Sequence, residues 1–174
     1  MQDLVTDRLK LRAVQAEDAG FIYELVRDPD WLKYIGDKGV HNLDDARNYI
    51  INGPQAMYQR YGFGLLVVET LEFKQPLGLC GLLQRDNLPV PDLGFAFLPA
   101  ARNQGYAAEA AQAVIKWGFS QLPLTRLAAL TAPHNDASIG LLKKLGFVQV
   151  GSHKMSDNAA DSNLFELLKT AWAK

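Results

Sequence analysis

The residues best suited to chemistry lie in one run, Asp92-Leu93-Gly94-Phe95-Ala96-Phe97-Leu98-Pro99-Ala100-Ala101-Arg102-Asn103-Gln104-Gly105-Tyr106-Ala107-Ala108-Glu109-Ala110. Its pattern predicts a strand, a short loop and then a helix. The loop Arg102 to Ala107 sits where that helix begins. Helix N-termini present unpaired N–H groups and the positive end of the macrodipole, so they hold phosphates. Gly105 lets the backbone approach a ligand closely and reach positive φ. Arg102 adds a charged donor. Together these features form a pyrophosphate cradle. No G-x-x-x-x-G-K-[ST] run occurs, which argues against a nucleotide triphosphate loop. No G-x-G-x-x-G follows a strand, which argues against a dinucleotide site. The pattern is R-x-x-G-x-A behind Phe97-x-Pro99, and alone it is an ordinary strand-to-helix turn.

Other reactive residue types offer less. His41, His134 and His153 are scattered and lack metal-ligand spacing, so no metal is expected. Cys80 lies in Leu77-Gly78-Leu79-Cys80-Gly81-Leu82-Leu83 and reads as a small buried hydrophobe rather than a nucleophile.

The elements that must position the loop follow from periodicity. Leu9 to Val14 alternates as a half-buried strand. A helix is expected from about Asp18 to Arg27, with Asp18 as its cap and Phe21, Ile22, Leu25 and Val26 as its apolar stripe. Asp28-Pro29-Asp30 ends it, and Trp31 to Ile35 forms a short helical turn. A second helix is expected from Leu43 to Tyr58, capped by Asn42. Phe63 to Thr70 and Leu77 to Gln84 pair as a hairpin. Asp92 to Leu98 is a strand. The helix near Ala107 ends before Pro123. Thr125 to Thr131 is a strand, and Asp136 to Leu145 a helix closed by Gly146. Phe147 to Ser152 and Asn163 to Thr170 are the last strands. This order predicts an α/β fold, a mixed sheet with helices on both faces.

Composition sets the bounds. The chain has 174 residues, 48% hydrophobic and 21% charged, the profile of an ordinary globular domain over residues 1–174. Lys and Arg number 18 against 19 Asp and Glu, a formal charge of −1, so no global field holds nucleic acid or an anionic membrane. One cysteine permits no intrachain disulfide and fits a reducing compartment. The first residues lack an apolar signal-peptide segment, and no apolar stretch approaches the ~20 residues of a membrane helix. A cytoplasmic, soluble protein is expected.

A second run stands downstream, Asn135-Asp136-Ala137-Ser138-Ile139-Gly140-Leu141-Leu142-Lys143-Lys144-Leu145-Gly146-Phe147. The two runs together resemble the GCN5-related N-acetyltransferase (GNAT) family. The first is similar to its acyl-CoA pyrophosphate loop, Q/R-x-x-G-x-G/A, and the second to its N-x-x-S/A…K-L-G-F element. Thr6-Asp7-Arg8-Leu9-Lys10-Leu11-Arg12 and Gly105-Tyr106-Ala107-Ala108-Glu109-Ala110 resemble the ribosomal-protein N-terminal acetyltransferase (RimJ/RimL-like) branch. The resemblance runs from Thr6 to about Phe165.

This resemblance implies a mostly antiparallel sheet split by acetyl-CoA, which donates an acetyl group to an amine. It puts the pyrophosphate on backbone N–H groups of Arg102, Asn103, Gln104, Gly105, Tyr106 and Ala107. It pairs the pantetheine arm with Phe95, Ala96 and Phe97, on a strand that carries a bulge and splays from its neighbour. The N–H near Phe97 stabilises the oxyanion. Asn135 contacts the pantetheine arm, caps its helix, or does both. Family members place a Tyr acid seven residues after this Asn, where this chain has Leu142. The branch uses the Ser three residues after it, so Ser138 is the candidate acid for the leaving thiolate. Asp92 is the candidate base, directly or through water; the alternative is a solvated strand-end acid. Glu109 serves structure. Trp31 and Tyr34 either line the acceptor pocket or pack in the core. Lys143 and Lys144 either reach the CoA 3′-phosphate or stay solvated. The implied reaction is direct attack by a primary amine in a ternary complex, since no nucleophile motif is present. A protein N-terminus, polyamine, amino acid or aminoglycoside-like amine all fit as acceptor. A non-catalytic acyl-CoA-binding module is the alternative. Neither nucleic acid nor membrane is expected as a partner, and a monomer or homodimer fits.

Overall fold

Alternation along the central strands sorts apolar side chains onto two faces. In the computed structural model, which describes residues 1–154, 157 and 160–173, Leu66 and Val68 pack on one face and Val67 on the other. Cys80 and Leu82 likewise oppose Leu79. The strands are β1 (Leu4–Val5), β2 (Leu9–Ala13), β3 (Leu65–Thr70), β4 (Pro76–Leu83), β5 (Asp92–Phe97), β6 (Arg126–Thr131), β7 (Val148–Lys154) and β8 (Asp161–Leu168). They form one sheet in the order β1-β2-β3-β4-β5-β6-β8-β7. Every pairing is antiparallel except β5 with β6. This is the expected mixed, mostly antiparallel sheet.

Helices α1 (Ala19–Val26), α2 (Pro29–Tyr34) and α3 (Leu43–Ile50) cover one face. Ile22, Leu25, Trp31, Ala46 and Ile50 meet Val14, Val67 and Leu79 there. Helix α4 (Ala56–Tyr61) follows α3 after a π-helical turn at Ile51–Gln55. Helices α5 (Tyr106–Gln121) and α6 (Asp136–Lys144) cover the opposite face. Ala110, Ala111, Val114, Ile115 and Leu142 fill that core with Leu93, Phe97, Leu127 and Phe165. A last turn, α7 (Lys169–Trp172), ends the described chain.

Three local expectations change. The helix expected over 43–58 is broken in the middle, because Pro54 lacks an N–H and its ring collides with the preceding turn. The chain widens into the π turn and then resumes. Asp18 stands at the start of α1 but its carboxylate does not cap it. It accepts from Arg12 Nη1 and Nη2 at 2.9 and 2.8 Å and from the Gln15 N–H at 2.8 Å. A guanidinium is the stronger partner. Asp28 and Pro29 end α1 and also start α2, with Asp28 accepting from the Asp30 and Trp31 N–H groups. The Asn42 cap, which accepts from Asp45 N–H at 2.7 Å, is as expected. So is Gly146, at φ 98°.

Candidate active site

A gap opens in the middle of the sheet. Strand β5 keeps its register with β4 along its whole length, from Leu83↔Asp92 to Gly78↔Phe97. It pairs with β6 only at Asp92↔Ala128 and Leu93↔Ala129. Beyond that point β6 runs on with β8 as far as Thr131↔Asn163. The two parallel strands therefore part after Leu93. The bulge expected in β5 is not there; the register with β4 shows no shift. The slot comes from ending one ladder early.

Register also fixes which groups face the gap. The Leu98 N–H bonds to Leu77 O at 2.9 Å, and Pro91 O accepts from the Ala128 N–H at 3.0 Å. Peptide groups alternate along a strand. So Gly94 and Ala96 bond to β4, while Phe95 and Phe97 turn their N–H and C=O toward the slot. The Phe97 carbonyl accepts from Arg102 Nε at 3.1 Å, which leaves its N–H facing the gap. The Phe95 and Phe97 rings join the α5-side core, and Ala96 packs on the other face. Gly78 holds β5 at close range. A Cβ there would lie 2.3 Å from Ala96 O.

At the slot's mouth the chain makes a 3-10 turn at Pro99–Ala101, then reaches α5 through two left-handed residues. Asn103 has φ 61° and Gly105 φ 79°. Gly105 thus adopts the conformation expected of it. It caps α5 without a side chain, and the first N–H groups of a helix have no partner within it. Those of Tyr106 and Ala107 stand at this end.

The charge at the loop differs from expectation. The Arg102 guanidinium does not face the cradle. Its Nη2 donates to Asp28 Oδ2 at 2.8 Å, its Nη1 pairs with Asp30, and its backbone N–H is taken by Pro99 O. The two acids Asp28 and Asp30 at the start of α2 hold it instead. The cation beside Gly105 is Arg8. Its Nη1 donates to Gln104 O at 3.0 Å, and its guanidinium lies 4.4 Å from the Tyr106 ring centroid. A Cβ on Gly105 would sit 3.3 Å from Arg8 Nη2. Glu109 accepts from Thr6 Oγ1 at 2.6 Å, Arg8 N–H at 2.9 Å and Arg8 Nε at 2.7 Å. Burial pushes its carboxyl up, but these bonds outweigh burial and hold it below the usual value. The sequence signal for Arg8 was the Thr6–Arg12 motif itself.

Across the slot, α6 follows β6. Asn135 Oδ1 accepts from the Ser138 N–H at 3.3 Å, so Asn135 does cap α6. Both residues are half-buried. Leu142 is 1% exposed and packs in the core, so no acid stands there. Lys143 and Lys144 are exposed on α6.

Asp92 is no solvated acid. It is 1% exposed, and Arg85 Nε donates to its Oδ1 at 3.0 Å. Burial raises its carboxyl above the ordinary value, although the charge of Arg85, its hydrogen bond and the charge of His153 pull the other way. Trp31 is buried and donates from Nε1 to Gly36 O, so it packs in the core; Tyr34 is only half-buried. Burial pushes the Cys80 thiol up, as befits a small core residue. The segment Ser152 to Asn163, where the family resemblance places a loop on the acceptor side, lies partly outside the described residues. Among the described residues, no helix is long and apolar enough to cross a membrane.

A sheet that opens between two parallel strands, with a helix N-terminus at its mouth, has room to seat an extended ligand with an anionic end. The family model of the acetyltransferase (GNAT) domain matches residues 8–148, and the chain belongs to this family of acetyl-CoA-dependent acetyltransferases. It is 32% identical over 181 residues to the uncharacterized N-acetyltransferase p20 of Bacillus licheniformis, covering 99% of each chain. It is 34% identical over 146 residues to the uncharacterized protein YkkB of Bacillus subtilis, covering 82% of this chain and 83% of the relative. A GNAT-family acetyltransferase structure from Bacillus anthracis matches at TM-score 0.81 and 26% identity, over 97% of this chain and 99% of that one. RimL, a ribosomal L7/L12 α-N-protein acetyltransferase in complex with coenzyme A, shares the fold at TM-score 0.83 and 17% identity, over 98% of this chain and 99% of that one.

Proposed function

We propose that the protein transfers the acetyl group of acetyl-CoA to a primary amine by direct attack in a ternary complex. The observation that carries this reading is the outward edge of β5, where Phe95 and Phe97 present backbone groups to the slot beyond the last β5–β6 pair, Leu93↔Ala129. An extended pantetheine arm completes that ladder. The Phe97 N–H then stands where the thioester oxygen gains charge. The open N–H groups at Asn103 to Ala107 receive the pyrophosphate, with Arg8 beside them.

Asn135 keeps its Nδ2 for the pantetheine arm while its Oδ1 caps α6. Ser138 supplies the proton path to the thiolate. Asp92 is the candidate base that takes the ammonium proton, directly or through water. The relation to the ribosomal-protein branch supports a protein N-terminus as acceptor, and a small-molecule amine fits the same chemistry. The reading takes residues 1–174 as one domain, monomeric or homodimeric. The single buried thiol fits a reducing, cytoplasmic setting.

The test is a calorimetric titration with acetyl-CoA, followed by an amine panel. Gly105→Glu puts a side chain and a negative charge into the cradle, so binding is lost. Ser138→Ala keeps binding and loses turnover by about 10–100-fold, the low end for one proton-transfer group. Absence of binding by the folded wild type rejects this function. Binding without any amine acetylation leaves a cofactor-binding module.

A further inference from the structure

The slot opens onto two faces of the sheet. The cradle at the start of α5 and the Asn135–Ser138 turn of α6 stand on the face where Leu93, Phe95 and Phe97 pack. With the donor held there, an acceptor reaches the slot from the other face, which α1 to α3 partly cover. On that face β5 and the residue after it present every second side chain: Asp92, Gly94, Ala96 and Leu98. One acid is followed only by small and apolar residues.

Strand β5 is buried at both ends and half-exposed over Gly94, Phe95 and Ala96, the stretch that begins where the β5–β6 ladder stops. Gly94 brings no side chain to this stretch. The place its Cβ would take lies 2.9 Å from Leu83 Cδ1 and 3.5 Å from Leu65 Cδ2. Leu83 stands on β4 opposite Asp92, and Leu65 stands on β3 in the row Leu65↔Gly81↔Gly94. Gly81 also lacks a side chain, so Leu65 reaches across the intervening strand. Leucine methyls therefore form the surface beside the slot edge. Both leucines are half-exposed, although they lie in the interior of an eight-stranded sheet. Tyr49 of α3 is half-buried in the same packed group as Leu65, Ala96 and Leu98. None of these side chains carries a charge, so they offer a second cation nothing to pair with. Apolar surface left half-open beside a cleft is covered favourably by an apolar ligand.

We propose that Leu83 and Leu65 set acceptor specificity: they form an apolar wall that selects a primary amine carried on an apolar body over polyamines and amino sugars. Such a body is an alkyl or aryl-alkyl group, or the apolar first side chain of a peptide. This rests on the acetyl-transfer reading above and narrows its acceptor. The amine enters head first toward the slot, and its apolar body lies along Gly94 and Ala96 against the two leucines. The wall touches the body and not the reacting nitrogen. It therefore acts alike before and during the reaction, and its effect falls on KM. A polyamine or an amino sugar would press charged or hydroxyl groups against methyls and lose their hydration.

The experiment measures kcat and KM of wild type, Leu83→Asp and Leu65→Ala with phenethylamine, a peptide beginning with leucine, spermidine and an aminoglycoside. Acetyl-CoA affinity is measured beside them by calorimetry. Wild type should favour phenethylamine or the peptide by about tenfold or more in kcat/KM, and the choice between those two tells a small amine from a chain end. Leu83→Asp should raise KM for the favoured acceptor by about tenfold or more, lower it for spermidine, and leave acetyl-CoA affinity as in wild type. Leu65→Ala should raise the first KM without helping spermidine, and it carries the test where Leu83→Asp fails to fold. A wild type that favours spermidine or the aminoglycoside, or that ranks all four alike, overturns the proposal. So do KM values unmoved in the folded variants, and so does a fall in acetyl-CoA affinity as large as the rise in KM. A wild type that binds acetyl-CoA yet acetylates no amine overturns the acetyl-transfer reading and this proposal with it.

Discussion

Glu109 and Arg8 are joined twice, once through the Arg8 backbone N–H at 2.9 Å and once through its Nε at 2.7 Å. This pair fastens the turn before β2 to the first turn of α5, beside the left-handed Gly105. The two separated motifs, Thr6–Arg12 and Gly105–Ala110, are thus halves of one contact. It sets the loop whose N–H groups face the cofactor side.

Glu109→Gln should weaken that contact without emptying it. Charge-assisted bonds contribute about 1.5–3 kcal/mol, and the partial exposure of Arg8 brings this nearer 1. The pH dependence has a definite sign. The carboxyl is held below its usual value in the folded protein, so its contribution is present above the ordinary glutamate range and is lost as pH falls through the lowered value. Thermal unfolding of wild type and Glu109→Gln should differ near neutrality and converge in acid. Equal melting temperatures at neutral pH would show the contact to be energetically idle.

Arg102 reads differently from its place in the sequence. In R-x-x-G-x-A it resembles a phosphate donor, yet it clamps α2 to the end of β5 through Asp28, Asp30 and the Phe97 carbonyl. Asp28 is 8% exposed at its side chain, so removing the guanidinium strands a nearly buried charge. Breaking a fully buried pair costs about 3–5 kcal/mol, and the partial exposure of Arg102 scales this to roughly 2. A double-mutant cycle with Arg102→Ala and Asp28→Ala should give a coupling of at least ~1 kcal/mol. Additive losses would separate the two residues energetically.

The legible part of the molecule was what short-range pattern encodes. Strand alternation, the Asn42 and Asn135 caps and the left-handed Gly105 and Gly146 depend on neighbours a few residues away. The break at Pro54 was equally local, since a proline inside a helical pattern carries that signal. Arg102 was not legible, because its partners lie 74 and 72 residues earlier and the loop alone offers no rival anion. The slot was legible only through the family resemblance, since an early end to the β5–β6 ladder leaves no mark on either strand's own alternation. His153 read only as one of three scattered histidines, because its pairing partner, Ser162, comes from β8.

Asp92 carries a cost that its position explains. Burial raises its carboxyl despite Arg85, so the folded protein holds the proton more tightly than the unfolded chain does. Its contribution to stability is therefore greatest in acid and falls as pH rises through the ordinary aspartate value toward the raised one. Asp92→Asn removes the charge and keeps an oxygen for Arg85, whose own side chain still reaches solvent. The variant should melt above wild type at neutral pH, with about 2–4 °C for each kcal/mol gained, and the advantage should vanish below the ordinary aspartate value. A lower melting temperature at neutrality would mean that the ion pair with Arg85 outweighs desolvation.

Two glycines give opposite tests of how β5 is held. A Cβ on Gly78 would meet Ala96 O at 2.3 Å and Phe97 Cδ1 at 2.7 Å. Backbone cannot swing aside as a side chain can, so Gly78→Ala must push β5 off β4 along the strand that lines the slot. Overpacking of this kind costs about 1–3 kcal/mol or more. It should also weaken acetyl-CoA binding, because Phe95 and Phe97 move with the strand. Gly140 lies inside α6, where a Cβ meets nothing within 4 Å. Gly140→Ala should raise stability by about 1 kcal/mol through helix propensity alone. Melting curves and acetyl-CoA titrations on both variants separate the effects. If Gly78→Ala loses stability yet binds acetyl-CoA as wild type does, then close packing on β4 does not set the slot's geometry.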